Sequence, residues 1–112
     1  MNLSLIPLWG LPLVHPGDDL ASMIVNSIRQ NGLSVDSEDI FVVAQKVISK
    51  AEGRFVNLTT VKPSELAKKY AEITGKDPRL VELILSESSE VLRTRQNVMI
   101  VAHKLGFVCA NA

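Results

Sequence analysis

Apolar residues occur along this chain in two patterns, continuous runs and helical stripes, and each pattern predicts a different element. The segment Ile40–Ala44 has five consecutive apolar residues. A short run rich in β-branched and aromatic side chains is typical of a strand buried on both faces. By the same pattern or by alternation of polar and apolar positions, further strands are predicted at Leu3–Leu8, Arg54–Leu58, Val91–Arg95, Val98–Ala102 and Gly106–Ala110.

Helical stripes and helix-ending residues predict four helices between these strands. Leu20, Ile24 and Ile28 repeat every four residues, which is the buried stripe of an amphipathic helix. The chain also offers capping residues at the expected places, because aspartate and serine cap helix starts, proline fits the first turn and glycine closes the last. The predicted helices are Asp19–Asn31, Lys46–Glu52 ended by Gly53, a third with Pro63 in its first turn and Gly75 at its end, and a fourth from Pro78 to about Ser88.

The order of these elements, β-α-β-α-β-α-α-β-β-β, predicts an α+β fold (mixed α/β), with a mixed β-sheet and helices packed on it. A chain of 112 residues corresponds to one domain or part of one. The last predicted strand runs almost to the C-terminus. A buried strand that stops there without a turn suggests a chain cut within a domain.

Charge, cysteine content and the N-terminal residues indicate the class of protein and its compartment. Twelve basic and twelve acidic residues cancel, so nothing suggests binding to nucleic acid or to an anionic membrane. Cys109 is the only cysteine, which fits a reducing compartment. The apolar N-terminus lacks the basic region of a signal peptide, is interrupted by Pro7, Gly10 and Pro12, and is too short to span a bilayer as a helix. These features predict a soluble cytoplasmic protein.

The junction after Ile40–Ala44 holds the first candidate site. A strand that leads directly into a helix presents unpaired backbone N–H groups, and these favour an anion. Lys46 and Lys50 are four residues apart and therefore share one face of that helix. The two ammonium groups could hold a polyanion, or they could simply form the solvated face of a short helix, since no glycine-rich phosphate loop is present. Gln45 could be a cap.

The loop Trp9–Val14 is the second candidate site, because an apolar loop containing a tryptophan is unusual at a surface. It either packs over the core, the favoured interpretation, or lines a flat apolar ligand such as a nucleotide base. Asp18 and Asp19 could resemble a metal pair, but helix capping explains them more simply. His103 has no second ligand at a recognisable spacing, so it does not by itself indicate a metal site.

Several motifs in order resemble one family over nearly the whole chain. The string VVAQKVISKAEGR is followed by KPSELAKKYAEITGKDPRLVELILSESSEVL and then by GFVCANA, and GLPLV followed by GDDLA precedes them all. Together they resemble the N-terminal half of the gamma-glutamyl ligase of coenzyme F-420, a deazaflavin hydride carrier. The resemblance implies an enzyme of mixed α/β fold that forms intertwined dimers and adds L-glutamate to the coenzyme precursor F420-0. It further implies GTP and Mg or Mn, with an acyl phosphate formed from GTP and then attacked by the glutamate amine.

The resemblance also implies which residues of this chain contact GTP. They are Leu11, Pro12, Leu13 and Val14 of the opening loop, Gln45 with Lys46, and Lys50. The hypothesis is that the loop holds the nucleotide and that the two lysines neutralise phosphate charge. No catalytic residue is assigned.

The chain departs from the family where its sequence ends. Family members continue after CANA with Gly-(Val/Ile)-Asp-x-Ser-Asn, whose aspartate binds metal and whose asparagine meets the nucleotide, and that motif is absent here. We therefore expect residues 1–112 to be an N-terminal portion of a ligase domain, truncated before the metal-binding motif and inactive alone. The alternative is a non-catalytic nucleotide-binding or assembly domain that needs a separate C-terminal partner. Continuation of the reading frame into that motif would favour the enzyme.

Overall fold

The computed structural model describes residues 1–110 of the chain. Within this range it forms four α-helices, a short 3-10 turn and three strands. The elements are α1 (Leu20–Gln30), α2 (Gln45–Ala51), the 3-10 turn Leu58–Thr60, α3 (Glu65–Thr74), α4 (Pro78–Glu87), β1 (Ser88–Arg95), β2 (Val98–His103) and β3 (Val108–Ala110). They divide into two compact units, the first comprising Met1–Val56 and the second beginning at Asn57. None of the helices in residues 1–110 is both long and apolar enough to cross a membrane.

The second unit packs α3 and α4 on an antiparallel sheet with the strand order β1-β2-β3. Alternation along β2 decides which face is covered, since Met99 and Val101 are buried while their neighbours are only partly buried. The small side chains Ala67 and Ala71 of α3 and the branched Val81 and Ile84 of α4 complete this core. The core is therefore formed by one stripe of each helix and one face of the sheet.

Local capping defines the helices of the second unit. The Ser64 side chain accepts a hydrogen bond from the Ala67 N–H, and the Asp77 side chain accepts one from the Arg79 N–H. Gly75 ends α3 in the left-handed conformation, with φ at 71°. The Glu82 carboxylate of α4 also accepts from the Ser64 N–H at 2.7 Å, which links the start of α3 to α4.

The first unit contains α1, α2 and extended or irregular segments between them. Asp19 caps α1, as expected, by accepting hydrogen bonds from the Ser22 N–H and hydroxyl. Ser27 and Ile28, near the end of α1, are buried.

The predicted α+β class is confirmed, but the sheet in residues 1–110 is antiparallel instead of mixed, and the first three predicted strands are wrong. Leu3–Leu8, Ile40–Ala44 and Arg54–Leu58 contain no strand, and the side chains of Ile40 and Val42 are 87% and 91% exposed. An apolar run indicates a tendency to be buried, but a strand also needs a neighbour for its backbone hydrogen bonds. Nothing within residues 1–110 pairs with these segments, whereas β1, β2 and β3 pair with one another.

Several boundaries also differ from the prediction, and the largest difference is the start of β1, which lies at Ser88 instead of Val91. Pro63 precedes the Ser64 cap instead of lying in the first turn of α3, because the serine side chain caps the helix one residue later. The last strand begins at Val108, two residues after the predicted start, because Gly106 has φ at 94° in the turn before it. The Asp77-Pro78 start of α4 and the Gln96–Asn97 turn are confirmed.

Candidate functional site

Helix α2 carries the two predicted phosphate-binding lysines on one face. Lys46 and Lys50 are one turn apart, Lys46 being exposed and Lys50 half-buried. The seven residues of α2 include no acidic side chain, so the helix has a formal charge of +2. Gln45 is its first helical residue and not its cap, since Ala44 occupies the cap position and no side chain caps the helix.

The turn after α2 fixes the backbone next to Lys50. The Gly53 N–H donates to the Lys50 carbonyl at 3.1 Å, and Gly53 takes a left-handed φ of 68°. The Arg54 Nε donates to the Glu52 carboxylate at 2.9 Å, with both side chains about half exposed. The acidic residue closest to Lys50 along the chain is thus already engaged by Arg54.

The opening loop is exposed, which overturns the interpretation that it packs over the core. The Trp9 side chain is 72% exposed and that of Leu13 is 81% exposed. Leu11, at 38%, is less exposed. Apolar character alone could not decide this point, because burial depends on what the fold brings over the loop.

Hydrogen bonds hold the segment Trp9–Gly17, which contains the opening loop Trp9–Val14, at both of its ends. At its start, the Trp9 carbonyl accepts from the Asn31 side-chain amide at 2.9 Å and from the Ser27 hydroxyl at 3.2 Å. At its end, the Gly17 N–H donates to the Ala51 carbonyl at 2.9 Å. The turn from His15 to Asp18, which contains Gly17, is closed by the His15 N–H, which donates to the Asp18 carboxylate at 2.7 Å.

The second of these anchors brings together two of the predicted site segments. Ala51 directly follows Lys50 and is the last residue of α2, so the end of the opening loop meets the end of the lysine helix. Leu11–Val14 lie a few residues before this junction, and Lys46 lies one turn before Lys50. The sequence prediction missed Ser27 and Asn31, because Asn31-Gly32 was interpreted only as the end of α1 and nothing local indicates that they contact Trp9.

The adjacent carboxylates Asp18 and Asp19 accept local hydrogen bonds at the start of α1. Hydrogen bonds from the Ser22 hydroxyl and then its N–H lower the pKa of Asp19 below its usual value, and Asp18 accepts from the His15 N–H. Among residues 1–110, no three histidine, cysteine, aspartate or glutamate side chains lie close enough to hold a metal ion. The Mg or Mn implied by the resemblance therefore does not fit any cluster in this part of the chain.

His103 takes part in local structure of the second unit. Its ring stacks on Phe107 with the ring centroids 4.4 Å apart, and its Nδ1 accepts from the Leu105 N–H at 3.0 Å. The His103 Nε2 lies 3.4 Å from the Glu87 carboxylate. These contacts support the turn between β2 and β3.

Comparison with known proteins gives consistent matches over this chain. The F420-0:Gamma-glutamyl ligase family matches residues 10–112. A protein of Methanothermobacter thermautotrophicus named coenzyme F420:L-glutamate ligase is 46% identical over 112 residues, covering all of this chain and 44% of the relative. A protein of the same name from Methanopyrus kandleri is 43% identical, and the match covers 88% of this chain and 37% of the relative. One from Archaeoglobus fulgidus is 42% identical, and the match covers all of this chain and 43% of the relative. The chain thus spans less than half the length of these relatives.

Proposed function

This chain belongs to the F420-0:gamma-glutamyl ligase family, and on that basis we propose that it supplies the nucleotide-binding part of a GTP-dependent ligase. The proposed reaction adds L-glutamate to the precursor F420-0 in coenzyme F420 biosynthesis. We propose the whole enzyme to be a cytoplasmic homodimer.

The observation that carries the proposal is the hydrogen bond between the opening loop and the lysine helix. The Gly17 N–H donates to the Ala51 carbonyl at 2.9 Å, which ties the loop of Leu11–Val14 to the helix of Lys46 and Lys50. The loop exposes the apolar side chains of Leu11 and Leu13, and the helix carries two cations. A nucleotide has a flat base at one end and a polyanion at the other, which suits these two kinds of group. This juxtaposition supports GTP as the ligand.

The proposed mechanism has two steps. A carboxylate oxygen of the coenzyme side chain attacks the γ-phosphorus of GTP, GDP leaves, and an acyl phosphate forms. The glutamate amine then attacks the acyl carbon, inorganic phosphate leaves, the amine loses a proton and the amide bond remains. Such phosphoryl transfer depends mainly on positioning and on charge stabilisation.

This chain contributes binding groups to that mechanism. The Lys46 and Lys50 ammonium groups neutralise phosphate oxygens, Gln45 offers an amide at the start of α2, and the opening loop holds the nucleotide. We propose that Mg or Mn serves the whole enzyme as a Lewis acid. Its ligands are not assigned to residues 1–110, where no suitable cluster exists.

Isothermal titration of the folded chain with GTP, with and without Mg, tests the proposal. We expect weak binding that does not require Mg, and we expect Lys50→Ala to reduce the affinity. The loss of a hydrogen bond to a charged group should raise the dissociation constant for GTP about ten- to a hundredfold. Lys69→Ala is the matched control, since Lys69 is an exposed lysine of α3 in the other unit.

Two outcomes would contradict the proposal. Unchanged GTP affinity in the Lys50→Ala variant would remove the assigned role of that lysine. No GTP binding by a folded wild-type chain would mean that these residues do not form a nucleotide site in this chain. The same titration with ATP decides whether the guanine base is preferred.

A further inference from the structure

The start of the opening loop is held by one side-chain amide on α1. The Asn31 Nδ2 donates to the Trp9 carbonyl at 2.9 Å, and the Asn31 Oδ1 accepts from the Trp9 N–H at 3.4 Å. Both backbone groups of Trp9 are therefore bound by a single side chain 22 residues later. A primary amide presents a donor and an acceptor side by side, which matches the carbonyl and the N–H of Trp9.

The Asn31 amide is itself oriented by the end of α1. Its Nδ2 also donates to the Ser27 carbonyl at 2.7 Å, while the Ser27 hydroxyl donates to the same Trp9 carbonyl at 3.2 Å. Ser27 is only 3% exposed. Trp9 is thus attached to a helix, whose backbone is rigid, through groups whose hydrogen bonds fix their direction.

We infer that Asn31 is a positioning residue that holds the Leu11–Val14 loop in place for nucleotide binding. The inference depends on the proposed function for the identity of the ligand, but the anchoring itself does not. Between the Trp9 and Gly17 anchors lie only seven residues, and these include Leu11–Val14. Without the Asn31 bonds, the start of the loop keeps only the Ser27 hydroxyl bond to α1, while Gly17 stays tied to the lysine helix.

A loop that is already ordered loses little conformational entropy when the ligand binds. A loop that the ligand must order loses more, and the affinity is correspondingly lower. Fixing the backbone of one residue corresponds to roughly tenfold in an equilibrium constant. We therefore expect loss of the Asn31 anchor to weaken GTP binding by at least about tenfold. The overall fold of the chain should be retained, because Asn31 lies after the last residue of α1.

Backbone order parameters from ¹⁵N relaxation test the anchor directly, using the full 112-residue chain. The variants are Asn31→Ala, which removes the amide, and Asn31→Asp, which keeps its shape but has no N–H donor at neutral pH. In both, we expect the order parameters of Leu11 and Leu13 to fall from about 0.85 to below about 0.6. Asn26→Ala is the control, because Asn26 is an exposed asparagine on the same helix.

The anisotropy of Trp9 fluorescence gives a second reading, since Trp9 is the only tryptophan. It should fall in both Asn31 variants and not in the control, while circular dichroism stays unchanged.

Should the Asn31 variants fail to fold, Ser27→Ala removes one of the hydrogen bonds to the Trp9 carbonyl and should loosen the loop by a smaller amount. A loop as ordered in the folded variants as in the wild type would overturn the inference.

The GTP titration separates failure of this inference from failure of the proposed function. A wild-type chain that binds no GTP refutes the proposed function, while the order parameters still decide whether Asn31 anchors the loop. If wild type binds GTP and Asn31→Asp binds it equally well despite a mobile loop, the positioning role is wrong and the proposed function stands.

Discussion

Met99 is completely buried between the sheet and the two helices that cover it. Replacing it with alanine removes several buried heavy atoms and leaves a cavity in a core of only six buried residues, lined by side chains from α3, α4 and β2. Methionine-to-alanine changes at such sites cost about 2–5 kcal/mol in the free energy of unfolding. We expect Met99→Ala to lower that free energy by this amount, measured by urea unfolding followed by circular dichroism.

Met99→Leu is the matched control, since it keeps the volume and should cost less than about 1.5 kcal/mol. Equal unfolding free energies for Met99→Ala and the wild type would show that Met99 does not support the core.

Single residues also show which parts of a site a sequence can reveal. The spacing of Lys46 and Lys50 placed them correctly on one face of a helix, because a spacing of four residues is a property of the helix alone. Asn31 and Ser27 were not predicted as partners of Trp9, because their contacts cross 22 and 18 residues of chain. No local pattern encodes such a contact.

At the scale of elements, the start of α4 contains a carboxylate held strongly in its charged form. Asp77 caps α4 and accepts from the Arg79 side chain, with the Nη2–Oδ2 distance at 2.6 Å. The hydrogen bond from the Arg79 guanidinium, followed by that from the Arg79 N–H, lowers the pKa of Asp77 to about 2. The folded chain thus binds this proton more weakly than the unfolded chain does.

Asp77→Asn should therefore change how the stability of the second unit depends on pH. The charge of Asp77 contributes its full stabilisation above its usual pKa of 3.8, and this is lost as the pH falls through about 2. Asparagine keeps a capping oxygen but carries no charge. We expect the wild type to be more stable than Asp77→Asn at pH 6, and the difference to shrink below pH 4.

Urea midpoints measured between pH 2 and 6 for both proteins check this expectation. Glu72→Gln, at an exposed position on α3, controls for the loss of one carboxylate. A difference between wild type and Asp77→Asn that is independent of pH would rule out the ion pair as its source.

The elements differ in how far the sequence predicted them. The four helices were predicted to within a few residues because caps and stripes are local, as at Asp19, Gly75 and Asp77. Among the strands, β1 and β2 were predicted because a two-residue turn joins them and their pairing is local. The segment Ile40–Ala44 has an apolar run as long as Val98–Ala102 of β2, yet it remains unpaired within residues 1–110, because composition does not specify a pairing partner.

At the scale of the whole molecule, two segments of the first unit expose apolar side chains in pairs. Leu3 and Leu5 are 87% and 85% exposed, and Ile40 and Val42 are 87% and 91% exposed. Residues two positions apart lie on the same side of an extended chain, so each segment presents an apolar edge. Exposed apolar surface of this kind binds apolar dyes and other apolar surfaces.

We expect the chain to enhance the fluorescence of anilinonaphthalene sulfonate and the double change Ile40→Ser with Val42→Ser to reduce that enhancement. The unfolding midpoint should stay nearly constant, since both side chains are exposed already. Val35→Ser is the control, because Val35 is 48% exposed in the same unit. Equal dye fluorescence in the wild type and the double variant would place the dye-binding surface elsewhere.

Helix α4 ends at Glu87 and strand β1 begins at Ser88, without a connecting loop. A residue inserted or deleted at this junction would have no flexible segment to absorb it. β1 is irregular after Ser88 and after Val91, and its less exposed positions, Ser88, Val91 and Thr94, are three residues apart. A slip of one residue would replace Val91, which packs against the core, by a neighbour from an exposed position. The same change in the turn at Gln96 and Asn97 would alter only a loop. A change in chain length should therefore be tolerated better in the turn at Gln96 and Asn97 than at the junction of α4 with β1.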